Sequence, residues 1–211
     1  MRVVVVGAGG HGQVMADVLL NARRHGTDVT PIGYVDDDPA LTGREFLGLR
    51  VLGDVESLTR LAHDAVIVAI GDNDRRRSMF SALEQRGESF VVARHPSAVI
   101  SFDVEIGLGT MICAGVVVNP GTTIGANVIL NTGCSLDHHN HVGDHVHVGP
   151  GVRTGGDVTI GAGSLVGIGA TVMPGQSVGV NSVVGAGACV TRPVPSGATV
   201  VGVPARVRRL T

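Results

Sequence analysis

Residues 106–190 read IGLGTMICAGVVVNPGTTIGANVILNTGCSLDHHNHVGDHVHVGPGVRTGGDVTIGAGSLVGIGATVMPGQSVGVNSVVGAGACV, and the stretch keeps one beat. Steps of six from Ile106 land on Ile112, Val118, Ile124, Leu130, Leu136, Val142, Val148, Thr154, Ile160, Val166, Val172, Val178, Val184 and Val190, so fourteen of fifteen positions are aliphatic. Two residues before each beat the side chain is mostly small or β-branched, as at Val116, Thr122, Cys134, Ser164 and Ala188. A six-residue period is the signature of a parallel β-helix with one short strand and one turn to each face. Three such units make a triangular coil of about 18 residues. Each beat then points into the prism and stacks on its equivalent one coil away, at a strand spacing of about 4.8 Å. The period runs without a slip, so the prism extrudes no long loop of its own.

Working outward, the first hundred residues must fold separately within a chain of 211 residues. Arg2–Val6 is apolar and runs into Gly7-Ala8-Gly9-Gly10-His11-Gly12, after which Val14, Met15, Val18, Leu19 and Ala22 recur with helical spacing. Residues 29–35 give a second strand ending in Asp36-Asp37-Asp38-Pro39, and Asp54 caps a short helix through Leu61. A third strand covers 65–70 and leads to Gly71-Asp72-Asn73. A helix carrying Met79, Phe80 and Leu83 follows, and 90–93 is a last strand. These elements predict a small parallel α/β sheet of Rossmann type. Gly7, Gly9 and Gly12 satisfy GxGxxG between strand and helix, where backbone N–H groups and the helix dipole favour a phosphate. Half a Rossmann sheet suits a mononucleotide diphosphate better than a dinucleotide. Asp36, Asp37 and Asn73 stand at the C-terminal ends of neighbouring strands, where open sheets bind ligands.

A net charge of −2 argues against a nucleic-acid surface, as does the scarcity of aromatics, with one Tyr, four Phe and no Trp. Cys113, Cys134 and Cys189 form no CxxC pair and read as reduced packing residues of a cytoplasmic protein. No apolar run reaches ~18 residues and the N-terminus has no signal-peptide character, so neither membrane insertion nor secretion is expected.

The GAGGHG turn, the YVDDD strand end, AIGDN, HPSA, NTG ahead of DHH and the terminal VGVPAR together resemble the PglD/NeuD/PerB group of nucleotide-sugar N-acyltransferases, over essentially the whole chain. The resemblance implies a left-handed β-helix. General crossover chirality alone would have suggested the opposite hand. It also implies two domains, a nucleotide-sugar-binding α/β unit at 1–95 and an acetyltransferase prism with a short tail at 96–211. The implied reaction moves acetyl from acetyl-CoA to the amine of a nucleotide-linked amino sugar, of the 4-amino-4,6-dideoxy kind, in bacterial surface glycan synthesis, in a cytoplasmic homotrimer whose sites lie between adjacent prisms. Gly9, Gly10, His11, Asp36, Asp37 and Asn73 would meet the sugar nucleotide, and Asn131 matches a position that contacts the sugar. His147, Gly156, Ile168 and Ala186 match positions lining acetyl-CoA, with Arg206 and the pair Arg208-Arg209 placed for its phosphates.

Residues 137–147 carry five histidines. The register sets His139 and His145, like His141 and His147, a third of a turn apart, so one chain cannot gather all five on one ion. No metal is expected. His138 falls where the resembled family keeps its catalytic base, and an imidazole with a pKa of about 6.5 accepts a proton near neutrality. Many relatives follow that histidine with a carboxylate, whereas this chain has His139. Either Asp137 takes over as the orienting group or the base works without one. Two other classes stay open: a trimeric zinc hydratase of γ-carbonic-anhydrase type, and a sugar-nucleotide-binding protein without catalysis.

Overall fold

The computed structural model describes residues 1–208, and among them no helix is long and apolar enough to cross a membrane. Strand β1 (Arg2–Val6) is central, with β2 (Thr30–Val35) on one side and a strand at Ala65–Val68 on the other, all parallel. Helix α1 (Gly10–Arg24) packs Met15, Ala16, Val18, Leu19 and Ala22 against this sheet and ends with Arg23 and Arg24 at its negative pole. Asp54 does cap the next turn by accepting from Ser57 N–H at 3.0 Å, although Val55–Arg60 is a 3₁₀ segment. Helix α2 (Asn73–Gln85) is capped by Asp72, which accepts from Arg75 N–H at 2.9 Å.

Two features differ from the sequence reading. The strand expected at 90–93 shrinks to a single bridge, Val66 to Phe90; the chain then leaves the sheet, and Ala93–Arg94 pairs with Met111–Ile112 of the prism. Phe90 stacks on Phe80 at 4.0 Å, so its apolar character serves packing rather than a sheet edge. A short hairpin, Glu45–Phe46 against Leu49–Arg50, turns on Leu47 and Gly48, both with positive φ. Its one-turn length left no period to read.

From Val99 the prism is regular. Its first face stacks Val99–Ile100, Val117–Val118, Ser135–Leu136, Arg153–Thr154, Thr171–Val172 and Cys189–Val190; its second runs from Glu105–Ile106 to Ser177–Val178; its third runs from Ala93–Arg94 past His147–Val148 to Arg206–Val207. Partners lie 18 residues apart, as Val117 does from Ser135, so one coil is three hexapeptides. Every beat from Ile112 to Val190 is buried, and so are most residues two before it, among them Val128, Cys134, Val146 and Val158. Two inward residues per unit fill a triangular section without large aromatics. Each corner places one residue in the left-handed region; it is Gly at most corners, and Asn127, His139, His145, Asp157 and Asn181 are the exceptions.

Helix α2 lies against the corner between the second and third faces. Fully buried Arg76 donates to the carbonyls of Asn127 (3.1 Å), His145 (2.7 Å) and Ile70 (3.2 Å) and to Asn73 Oδ1 (2.9 Å), joining the two halves. Among the described residues no carboxylate bonds it. Burial lowers its pKa only to about 10, so it stays charged, held by carbonyl dipoles. The apolar core runs without a break from Val3, Met15 and Leu19 through Ala93 into the prism interior.

Candidate active site

The first component is a cleft of about 890 Å³ at the C-terminal ends of the α/β strands, bordered by Gly9, Gly10, His11, Asp36, Asp37 and Gly71. Its floor is the glycine turn. Gly7 takes φ 103°, and a Cβ at Gly12 would lie 2.0 Å from Gly7 O, so the helix can approach the turn only without a side chain there. Asp36 Oδ2 accepts from Ala8 N–H at 2.7 Å and Asp37 Oδ1 from Val55 N–H at 3.0 Å, so both carboxylates shape the cleft rim as well as face it. Gly9 caps α1 with no side-chain acceptor, and nothing stands within 4 Å of the Cβ positions of Gly9 and Gly10. The first-turn N–H groups therefore open onto a space free of side chains, which is the arrangement an anion needs.

The second component lies where the α/β unit meets the third face. His147 Nδ1 donates to Gly71 O at 3.3 Å, and its Nε2 accepts from Asn131 Nδ2 at 3.1 Å. His11 faces it at 6.3 Å between ring centroids, and His11 Nε2 is buried with no protein partner. Burial first, then neighbouring positive charge, lowers both pKa values to about 4, so both rings are neutral at neutral pH. Asn73 does not face the nucleotide cleft as expected. Its amide donates to Gly163 O and Ser164 O at 3.0 and 3.1 Å and accepts from Arg76, so it fastens α2 to the prism.

The third component stands elsewhere, at the corner between the first and second faces. His138 is exposed there and sits directly above Gly156, one coil on, where a Cβ would come within 2.2 Å of the imidazole. Gly156 is thus the floor beneath the ring. Asp137 does not orient that ring: its Oδ1 accepts from Asn119 Nδ2 at 2.8 Å and from the His138 backbone N–H at 2.9 Å. Those two bonds, the Asn119 amide foremost, hold its carboxyl below the usual range. The group that meets the His138 ring is His139, Nδ1 to Nδ1 at 3.0 Å.

The other histidines disperse as the register requires. His141 pairs with Thr123 Oγ1 at 2.7 Å and His145 with Asn127 Nδ2 at 2.9 Å. Cys134 is fully buried, and burial pushes its thiol up to about 12, which removes it as a nucleophile. Ile168 and Ala186 stack one coil apart on the third corner, below Asn131, and both are exposed. Arg206 is exposed near the open end and donates to Ala205 O at 2.8 Å. Arg208 is described as well, whereas Arg209 lies outside the described residues. One chain therefore puts the strand-end cleft and His147 on one side of the prism and His138 at the opposite corner.

Comparison with known proteins follows the same division. Residues 2–83 match the PglD N-terminal domain. A segment of 117 residues is 37% identical to UDP-N-acetylbacillosamine N-acetyltransferase of Bacillus subtilis (strain 168); it spans 54% of this chain and about half, 51%, of that enzyme. A variant of GDP-perosamine N-acetyltransferase from Caulobacter crescentus, solved with CoA and GDP-perosamine, superposes with a TM-score of 0.93 at 36% identity, covering 100% of this chain and 98% of that one. The acetyltransferase domain of PglB from Neisseria gonorrhoeae FA1090, solved with acetyl coenzyme A, gives 0.90 at 32% identity, with 98% of each chain covered.

Proposed function

Because this chain belongs to the PglD family of acetyl-CoA-dependent nucleotide-sugar N-acetyltransferases, we propose that it acetylates a nucleotide-linked amino sugar with His138 as general base, in a site shared by two chains. The observation that carries the reading is the uncapped N-terminus of α1 opening onto the cleft beside His11, a diphosphate site with an unused buried nitrogen at its wall. In this reading residues 1–95 bind the sugar nucleotide and the prism from 96 binds acetyl-CoA along the corner carrying Ile168 and Ala186. The separation of His138 from the cleft within one chain supports a homotrimer in which the base corner of one prism faces the cleft of the next. The cytoplasmic placement and the 4-amino-4,6-dideoxy sugar expected from the sequence belong to the same proposal.

In the reaction the neutral amine attacks the thioester carbonyl while His138 Nε2 takes its proton. The tetrahedral intermediate collapses to the acetamide, and the departing CoA thiolate recovers the proton from His138. Neither a covalent acyl-enzyme nor a metal is needed, and the buried thiol of Cys134 offers no alternative. The test is thiol release from acetyl-CoA with a panel of GDP-, UDP- and dTDP-linked 4-amino sugars. One acceptor should support turnover, and His138→Ala should lower kcat by about 10²–10⁴ with little change in KM for acetyl-CoA. Full activity of His138→Ala, or turnover with no member of the panel, refutes the reading.

A further inference from the structure

We propose that His139 is the positioning residue for His138: its Nδ1 accepts the Nδ1 proton of His138 and leaves His138 Nε2 bare for the amine proton. This rests on His138 being the base. The two Nδ1 atoms are 3.0 Å apart and the rings cross at 75°, which is hydrogen-bond geometry rather than stacking. His139 is held for the task. It occupies the left-handed corner slot at φ 56°, where most corners of this prism use glycine, and its N–H donates to Pro120 O at 2.9 Å. Its ring lies over Gly121, where a Cβ would come within 2.5 Å of Cδ2, so the preceding coil is cleared to admit the imidazole. Asp137 makes no bond to that ring; its Oδ1 accepts from Asn119 Nδ2 and from the His138 backbone N–H.

A carboxylate in this place can only accept, and so fixes one tautomer of the base. An imidazole can accept or donate. When the pair is neutral, His138 Nδ1–H to His139 Nδ1 is the competent arrangement. When His139 takes a proton it becomes a donor at Nδ1, and His138 must then accept there. The neutral His138 ring that does so carries its own proton on Nε2 and cannot take another from the amine. One proton anywhere on the pair therefore stops the reaction. The charged groups around the pair are carboxylates: Asp137 beside it, Asp157 on the next coil with a carboxylate oxygen within 4.8 Å of a nitrogen of each ring, and Asp103, whose Oδ2 accepts from Gly121 N–H under the His139 ring.

Three variants test this. His139→Gly removes the ring without strain at positive φ. It should lower kcat about 10–100-fold, the usual cost of losing an orienting partner, with both KM values and the melting temperature nearly unchanged. His139→Gln and His139→Glu restore an acceptor oxygen and should recover much of that loss. The decisive readout is the acid limb of kcat: because a proton on either ring stops the reaction, the limb should lie at higher pH in the native enzyme than in His139→Gln, where only His138 can take one. His139→Glu should move the limb to higher pH than His139→Gln, because an anion beside His138 favours its protonated form. Unchanged kcat in His139→Gly, or superimposable limbs in all three proteins, would overturn the proposal. His138→Gln separates the two readings: if it stays active the base assignment itself fails, whereas an inactive His138→Gln with an indifferent His139 sinks only this proposal.

Discussion

At the scale of single residues, the chain spends its polar groups in two ways. Some hold the backbone, as Asp36 and Asp54 do, while a few face open space. Gly9 belongs to the second kind: its φ of −68° suits any residue and its Cβ would meet nothing, so Gly9→Val should fold normally yet fill the space an anion needs. We expect KM for the sugar nucleotide to rise at least about tenfold with KM for acetyl-CoA unchanged. An equal rise in both, in steady-state kinetics, would contradict the division of labour. His11 and His147 give a pH prediction. Both have folded-state pKa values lowered to about 4, against about 6.5 in an unfolded chain. The unfolded state therefore binds more protons as pH falls. The stability these rings contribute is complete above about 6.5 and is lost progressively toward about 4. Melting temperature should drop across that window, and His147→Gln should flatten the drop. The sequence left two readings of His138, a base oriented by Asp137 or a base without an orienting group. What it could not show is that Asn119, 18 residues earlier and so one coil above, holds one oxygen of that carboxylate.

Among the elements, α2 carries more than its polar sequence suggests. Its buried Arg76 holds carbonyls from the α/β loop at Ile70 and from two successive coils at one prism corner, and beside it Asn73 reaches a third coil. Arg76→Met keeps the volume but strands these acceptors in a dry interface. We expect a loss of about 3–5 kcal/mol in urea unfolding, the range for removing one side of a buried charged network, while Arg77→Ala, which loses only the exposed bond to Asn181, should change stability by less than about 1 kcal/mol. Equal effects of the two would show that the clamp is not where the halves are joined. The prism strands were legible in the sequence because each repeats a neighbour. The hairpin at 45–50 and the crossing of Ala93–Arg94 onto Met111–Ile112 were not, since each occurs once and depends on contacts far along the chain. The bonds of Asn73 were hidden for the same reason: its place after a strand does not reveal the prism carbonyls it reaches.

For the whole molecule, the arrangement has a direct consequence. Nucleotide cleft, His11 and His147 share one side of the prism, and His138 with its partner His139 stands at the far corner. If the chain acts as a trimer with each site shared, a variant without the base and a variant that turns over poorly at low sugar nucleotide should repair one another. The measurement is to co-express His138→Ala with Gly9→Val, each carrying a different tag, and to purify the mixed trimers over both tags. Every mixed trimer then has one boundary where an intact base meets an intact cleft, so at sugar-nucleotide concentrations well below the raised KM of Gly9→Val symmetry predicts about one third of the native kcat/KM. Mixed trimers no more active than either parent would contradict the shared site and with it the central claim.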